Sequence, residues 1–375
     1  MFYDWLTIYQ DFDFRLPFLG DRYEIIVDTV TSEELGTKCA SFKHEGSFST
    51  SIQIRISGNR LTVSGNPSRI NRLDNLYGFT KLDDCVSVYN RILSDLGLPT
   101  FTKCTRIFHL TSHDENKTIT SSDGAIITEI HVTSNRAVGT DNADDYLKAL
   151  STQRYRNSIG NLYANGKTVD WKSKKGNAAL IYPSVYNKAN ELELHHLGKA
   201  ARNFGKESTE YLYLKQVIDF CEQNGVVRFE QKLKSAYLRR EGLRYWGLLD
   251  EKKFAALHDD FLRIDEKLQV ESMDIEGISE RLIRKDICLN TRSANTTAFY
   301  AIQWMSGQKF DSTKTQVRTH RARLRKIGID IFNPCDLSRF SPVYVRKARA
   351  VTVQELPIPT WYRSAEVPCH LRAVA

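Results

Sequence analysis

Polar and apolar residues alternate with period two through Ser51–Ile56 and Arg60–Ser64, and Gly58-Asn59 between them predicts a tight hairpin. The period changes at Asp84. From there Cys85, Val88, Tyr89, Ile92 and Leu96 share one helical stripe, which Gly97 ends. Strands are predicted at Cys104–Leu110 and Ala125–Thr133, separated by a polar loop from His113 to Asp123. Asp141 or Asn142 offers a cap to a helix reaching about Ser151. A meander follows over Asn161–Ala164, Thr168–Trp171 and the stretch from Ala178, turning at Asn165-Gly166 and Lys175-Gly176-Asn177. Ser208 opens a helix with Leu214, Val217, Ile218 and Cys221 inside, and Gly225 closes it. The next strand, Val226–Lys234, sends Val227, Phe229, Gln231 and Leu233 to one face. Arg228, Glu230, Lys232 and Lys234 go to the other.

From about Met273 the pattern is helical, with segments at Ile278–Ile287, Thr296–Ser306 and Thr313–Ile327. The fold class read from this is α+β. A sheet-and-helix domain spans 1–265, a helical module 273–335, and a tail over 350–375, with Pro357 and Pro359, reads as irregular. In the third helix Val317, Arg321, Leu324 and Ile327 form the inner stripe, the outline of a helix-turn-helix recognition helix. Gln316, Arg318, Arg321, Arg323, Arg325 and Lys326 are its candidate DNA contacts, Arg321 being the poorer one because it shares the packing stripe. Residues 314–349 hold ten Lys and Arg against two acids, although a basic helix face often meets only water.

Composition narrows the class. At 375 residues with 41% hydrophobic and 11% aromatic content, the chain fills real cores and is not disordered. A net charge of +8 favours a polyanionic partner without proving one. The seven cysteines are scattered with no CxxC, which suits reduced thiols in a cytoplasmic compartment. The first residues carry no signal-peptide pattern, and no apolar run reaches the roughly 18 residues of a membrane span. A soluble intracellular protein is expected.

Three short stretches each place two reactive side chains two positions apart: Glu129-Ile130-His131, Tyr186-Asn187-Lys188 and Arg228-Phe229-Glu230. In a strand each pair would share a face. Metal ligands, a tyrosine nucleophile and cations for phosphate are what strand nicking through a phosphotyrosine requires. Each also has a plainer reading: a hydrogen-bonded histidine, an anonymous tyrosine among seventeen, an Arg–Glu pair within a strand. Pro183 argues against a helix that would align Tyr182 with Tyr186, so Tyr182 reads as packing. His195 and His196 read as surface residues.

The chain resembles the gene II-type replication initiators of filamentous phages, above all the branch holding the RstA proteins of the cholera-toxin phages. The residues carrying this are Leu61-Thr62-Val63-Ser64-Gly65, the run Val185–Leu192, the run Gly225–Lys234, and Leu238-Arg239-Arg240-Glu241-Gly242-Leu243. The resemblance implies an HUH-like nuclease domain and a rolling-circle endonuclease. Such an enzyme nicks origin DNA, stays joined to the 5′ phosphate through a tyrosine, and later rejoins the strand. It places the nucleophile at Tyr186, with Lys188 and Arg228 as catalytic cations. The metal ligands fall at Glu129, His131 and Glu230, suited to Mg²⁺ or Mn²⁺. Coliphage relatives have Arg-Ile-Asp-Ala-Thr where this chain has Glu129-Ile130-His131-Val132-Thr133, and a second alignment uses Thr105-Arg106-Ile107-Phe108-His109. The first keeps the 55-residue interval from His131 to Tyr186.

The implied partners are phage origin DNA, double- and single-stranded, and host replication proteins such as a helicase. The implied compartment is the cytoplasm of the bacterial host, with no membrane. A catalytically inactive DNA-binding regulator on the same fold is the competing reading. A metal-dependent RNA nuclease is disfavoured, because the stacked aromatics of RNA modules are missing.

Overall fold

The alternating stretches assemble into one antiparallel sheet. The computed structural model describes residues 1–17, 19, 23–39, 41–46, 51–111, 118–172, 180–264, 275–305, 307–333 and 354–366. The Lys175-Gly176-Asn177 turn, part of the polar loop before Asp123, and the basic residues Arg339, Arg346, Lys347 and Arg349 lie outside the described residues. The sheet is built from β1 (Phe2–Asp11), β2 (Phe42–Glu45), β3 (Ser51–Ser57), β4 (Arg60–Gly65) and β5 (Ile126–Ala137). It continues with β6 (Asn161–Leu162), β7 (Thr168–Asp170), β8 (Ile181–Asn187), β9 (Val226–Lys234) and β10 (Gln354–Glu355). The spatial order is β6-β7-β8-β9-β5-β1-β4-β3-β2, and β10 pairs with the end of β5.

One face of this sheet is apolar and covered. Helix α1 (Leu82–Asp95) packs Cys85, Val86, Tyr89 and Leu93 against Ile8, Ile54 and Val63 of the β1-β4-β3 half. Helices α2 (Ala143–Ser151) and α7 (Lys252–Leu262), the latter following the short α6 (Ser235–Arg240), bury Val185, Val227 and Phe229 on the other half. Burying side chains of that size contributes about 1.5–3 kcal/mol each, which holds the strand faces in register. Gln231, on the same face, bonds His258 and Tyr155.

The opposite face stays polar over β5 and β9. At one end it is roofed by α3 (Lys188–Leu192), a π-helical turn at Glu193–Leu197, α4 (Gly198–Phe204) and α5 (Thr209–Asn224). Ser208 caps α5 by accepting from the Tyr211 amide at 3.1 Å. Gly225 ends it in the left-handed region (φ 58°), tight against the Gly139 carbonyl, where no side chain fits.

One sequence expectation changes here. The strand predicted at Cys104–Leu110 is found at Ile107–Thr111, in a separate ribbon with Thr118–Ser122. Its His109 therefore stands on another sheet from His131, bonded to Thr120 at 3.3 Å. The described part of the tail, 354–366, is irregular apart from β10, yet it is held by specific contacts. Beyond β10, Tyr362 hydrogen-bonds Asp74 at 2.6 Å, the Tyr77 amide at 3.0 Å and Arg72. Buried polar partners, not local propensity, fix this segment.

The remaining helices, α8 (Ile275–Arg284), α9 (Thr291–Met305) and α10 (Thr315–Arg325), surround a core of Ile278, Leu282, Ala298, Trp304, Val317 and Leu324. The link from α9 to α10 covers 306–314, longer than the three or four residues of a helix-turn-helix turn. Among the described residues no helix is long and apolar enough to cross a membrane. Cys85, Cys104, Cys221 and Cys288 are buried free thiols.

Candidate active site

The register of three strands gathers the three reactive stretches onto the polar face. Tyr186 of β8 lies opposite Arg228 of β9, and Ser184 opposite Glu230. On the other side of β9, Glu230 faces Thr133, Lys232 faces His131 and Lys234 faces Glu129. Each partner is displaced by an even number of residues, so all share one face.

His131 is the hub. Its Nε2 lies 2.9 Å from Glu129 Oε1 and its Nδ1 lies 2.8 Å from Glu230 Oε1. The Trp5 indole stacks on the ring at 5.9 Å. Burial opposes charge on the imidazole, yet the two carboxylate hydrogen bonds prevail and raise its pKa. Burial pushes Glu129 up, but His131 and Lys234, whose Nζ is 2.6 Å away, outweigh it and hold the carboxyl at about 2. Glu230 is held low in the same way by His131 and by Lys232, 3.5 Å away.

The two ring nitrogens point from opposite edges, so Glu129, His131 and Glu230 do not converge on one point. Among the described residues no group of three or more His, Cys, Asp or Glu is arranged to hold a metal ion. What the donor set does offer is the Nδ1 edge, where an imidazole nitrogen and a carboxylate sit together, with Glu129 accepting from Nε2 behind it. A carboxylate behind a ligating histidine is a common supporting arrangement.

Arg228 is fully buried. Its Nε donates to Asn135 Oδ1 at 3.0 Å and its Nη2 to the carbonyls of Asn75 and Leu76 at 2.5 and 2.7 Å. Nη1 lies 3.6 Å from Asp4 Oδ2 and makes no hydrogen bond. Asp4 reaches this position because β1 is irregular between Tyr3 and Trp5. It accepts from Asn66 at 2.6 Å and Asn75 at 2.9 Å. Nothing in the local sequence pattern marks Asp4, Asn66 or Asn75 as part of this network.

Tyr186 is half-buried, and no hydrogen bond of its hydroxyl is found among the described residues. Burial first, and then the charge of Glu230, push its pKa well up, while Arg228 pulls it down. The buried Thr133 hydroxyl, opposite Glu230, also lacks a partner. Three polar groups on neighbouring rungs thus make no hydrogen bond among the described residues: the Tyr186 hydroxyl, Arg228 Nη1, which has only the Asp4 charge 3.6 Å away, and Thr133 Oγ1.

Lys188 departs from expectation. The strand ends at Asn187, which caps α3 by accepting from the Asn190 amide, so Tyr186 and Lys188 are not a same-face strand pair. The Lys188 ammonium is wholly buried and donates to Asn75 at 2.7 Å and Glu191 at 2.5 Å. Burial and the nearby Arg228 charge lower its pKa. Nor is Tyr182 simple packing. It lies on the same strand face as Tyr186, four residues earlier, with its hydroxyl 2.6 Å from the buried Asp170 carboxylate. His196, read as a surface residue, is buried in the π-helical turn, 2.8 Å from Arg69 and 3.4 Å from Glu191.

In α10 the inner residues are Val317, His320 and Leu324. Arg321 is half-buried and grips Asp330 at 2.6 and 2.9 Å. Arg323 turns back onto α9, reaching Ser293 at 2.9 Å. Gln316, Arg318, Arg325 and Lys326 are exposed.

The fold and face just described define a mixed α/β protein with a large antiparallel sheet and, on its polar face, a cluster of acid, base and phenol. Two family models match the chain, both of the phage replication-associated protein of the gene II type: its N-terminal part over residues 2–251, and its C-terminal part over residues 282–367. The replication-associated protein of Escherichia phage If1 is 56% identical over 321 residues, covering 86% of this chain and 99% of that protein. The chain belongs to the gene II family of phage replication-associated proteins. No solved structure matches it.

Proposed function

We propose that this replication protein is a metal-dependent origin nickase that works through a covalent 5′-phosphotyrosine at Tyr186, on an HUH-like nuclease domain. The observation that carries the reading is a set of groups on one face with no hydrogen bond among the described residues: the half-buried Tyr186 phenol, the buried Arg228 Nη1 and the buried Thr133 hydroxyl, beside an imidazole–carboxylate pair. Unpaired buried polar atoms are costly, and a phosphate oxygen entering between them would supply the missing acceptors. A regulator that only binds DNA has no use for such a cluster.

In the reaction the Tyr186 oxygen bonds phosphorus as the bond from phosphorus to the 3′ oxygen breaks. The phenol gives up its proton and the 3′ oxygen takes one. Two phosphodiesters of similar energy exchange, so the strand can be rejoined without ATP. Arg228 Nη1 would steady charge on the phenolate or the phosphate. Lys188, paired with Glu191, donates to the Asn75 side chain, and the Asn75 backbone carbonyl accepts from Arg228. His131 Nδ1 and Glu230 would hold Mg²⁺ or Mn²⁺, with Glu129 fixing the ring. When bound there, a divalent cation would supply positive charge to the scissile phosphate and offset the Glu230 charge, which together with burial keeps the phenol protonated. Phage origin DNA is the substrate, in the bacterial cytoplasm, and host replication proteins such as a helicase would extend the opened strand. The three-helix module presents Gln316, Arg318, Arg325 and Lys326 to duplex DNA.

The deciding experiment incubates the protein with supercoiled phage DNA and Mn²⁺ and looks for protein attached to a 5′ end through Tyr186. Relaxed DNA without an adduct would refute the covalent route. Binding with no cleavage under any divalent metal would favour the regulator.

A further inference from the structure

Next to the tyrosine face, beyond the Lys188–Glu191 pair, a shallow pocket opens between the turn Pro67–Arg69 and helices α4 and α5. Arg69, His196, Lys199 and Asn203 surround it over Leu73 and Leu214. No carboxylate lines it. Among the described residues Arg69 makes no ion pair, and its buried Nε has no hydrogen-bond partner.

The hydrogen bond between Arg69 and His196 fixes a tautomer. Arginine only donates, so His196 Nδ1, 2.8 Å from Arg69 Nη2, accepts. The ring proton therefore sits on Nε2, toward Glu191 Oε1 at 3.4 Å. The groups facing this imidazole are Arg69, Glu191, Lys188 and Lys199, of which three are cationic. Burial, with the Arg69 and Lys188 charges adding to it and Glu191 opposing, lowers the His196 pKa. The pocket thus holds a neutral histidine and an underused guanidinium, and it lacks an anion.

We propose that this pocket binds a phosphate group, that of the nucleic-acid strand lying near Tyr186, a source that rests on the nickase reading. Arg69 Nε and the exposed tip of Lys199 would donate to the phosphate oxygens. His196 Nδ1, released as the Arg69 guanidinium turns to the phosphate, would take up a proton and donate as well. Glu191 joins the two places: it contacts His196 and Lys188, and its charge bears on Tyr186. Filling the pocket would anchor the strand one arm's length from the attacked bond.

The test follows the His196 ring by NMR in the full-length, histidine-labelled protein. Inorganic phosphate and a single-stranded oligonucleotide are titrated separately. Each is expected to raise the His196 titration midpoint by about one pH unit, as an anion within a few ångströms does. Arg69→Gln should remove the response. Lys199→Gln, at an exposed position that leaves the fold intact, should weaken oligonucleotide binding about threefold to tenfold. A response to phosphate but not to the oligonucleotide would keep the pocket and overturn its assignment to the strand. Silence toward both overturns the site. If His196 is silent while the Tyr186 adduct forms, the pocket fails and the nickase stands. If His196 responds and no adduct ever forms, the converse holds.

Discussion

Tyr186 and Arg228 stand directly opposite each other across the antiparallel pair β8 and β9, the phenol without a hydrogen bond among the described residues and the guanidinium with its Nη1 not hydrogen-bonded, 3.6 Å from Asp4. Tyr186→Phe removes only the hydroxyl. Adduct formation on supercoiled DNA should disappear, DNA binding should persist, and stability should change by no more than about 0.5 kcal/mol. An adduct on the Phe variant would move the nucleophile elsewhere, with Tyr182 on the same strand face the first to examine. Arg228→Met, by contrast, strips donors from Asn135 and from the Asn75 and Leu76 carbonyls, and should cost about 3–5 kcal/mol in urea unfolding.

His131 couples metal binding to pH. Its raised pKa means the imidazolium must lose the Nδ1 proton before a metal can replace it. Below that pKa the affinity for Mn²⁺ should fall about tenfold per pH unit, with close to one proton released on binding. Calorimetry in buffers of different ionisation enthalpy reads both quantities. Flat affinity between about pH 6 and 8 would remove His131 from the ligand set. Without metal the sign reverses. The stabilisation from the charged ring is complete below its unfolded value of about 6.5 and is lost as pH rises through the raised folded value.

His258 acts in the opposite direction. Burial above all, with smaller contributions from the N-terminus and Arg136, lowers its pKa to about 3. Its neutral ring is bonded to Gln231 at 3.1 Å and Ser134 at 2.8 Å. The unfolded chain therefore takes up a proton between about pH 6.5 and 3 that the folded chain refuses. Stability from this group is complete above about 6.5 and falls by about 1.4 kcal/mol per pH unit toward the folded value. His258→Gln should lower stability at neutral pH and flatten this acid slope. Parallel stability–pH curves for the two proteins would show that the ring is not held neutral.

On α10 the exposed cations are the ones to test. Changing Arg318, Arg325 and Lys326 together to Ala should weaken origin binding and reduce the log–log salt slope by about 2–3. Cleavage of a short single-stranded oligonucleotide carrying the nick site should survive. Loss of that cleavage would place these residues at the catalytic centre. Arg321→Ala should instead destabilise the module, because it breaks the two-pronged grip on Asp330. Unchanged stability in that variant would mean the pair is idle.

Much of the architecture was readable along the chain. The alternation in Val226–Lys234 separated Val227, Phe229 and Leu233 from Arg228, Glu230 and Lys232, because one face of that strand packs apolar side chains while the other, where Arg228 and Glu230 are buried too, gathers polar and charged ones. Ser208 and Gly225 bounded α5 through capping chemistry that is local by nature. Local pattern determines which face a residue occupies and where an element stops. It does not determine what a polar side chain meets. Glu129, His131 and Glu230 come together only through the β9–β5 register, which joins residues about a hundred positions apart. Lys188 left its expected strand face because Asn187 caps a helix, and Arg323 turned inward because α9 packs beside it. Asp4 entered the site through an irregularity in β1, His196 through a buried turn, and Tyr362 through hydrogen bonds to Asp74 and the Tyr77 amide. Hydrogen bonds and desolvation act over a few ångströms in space whatever the separation in sequence, so these contacts were decided by the tertiary structure alone.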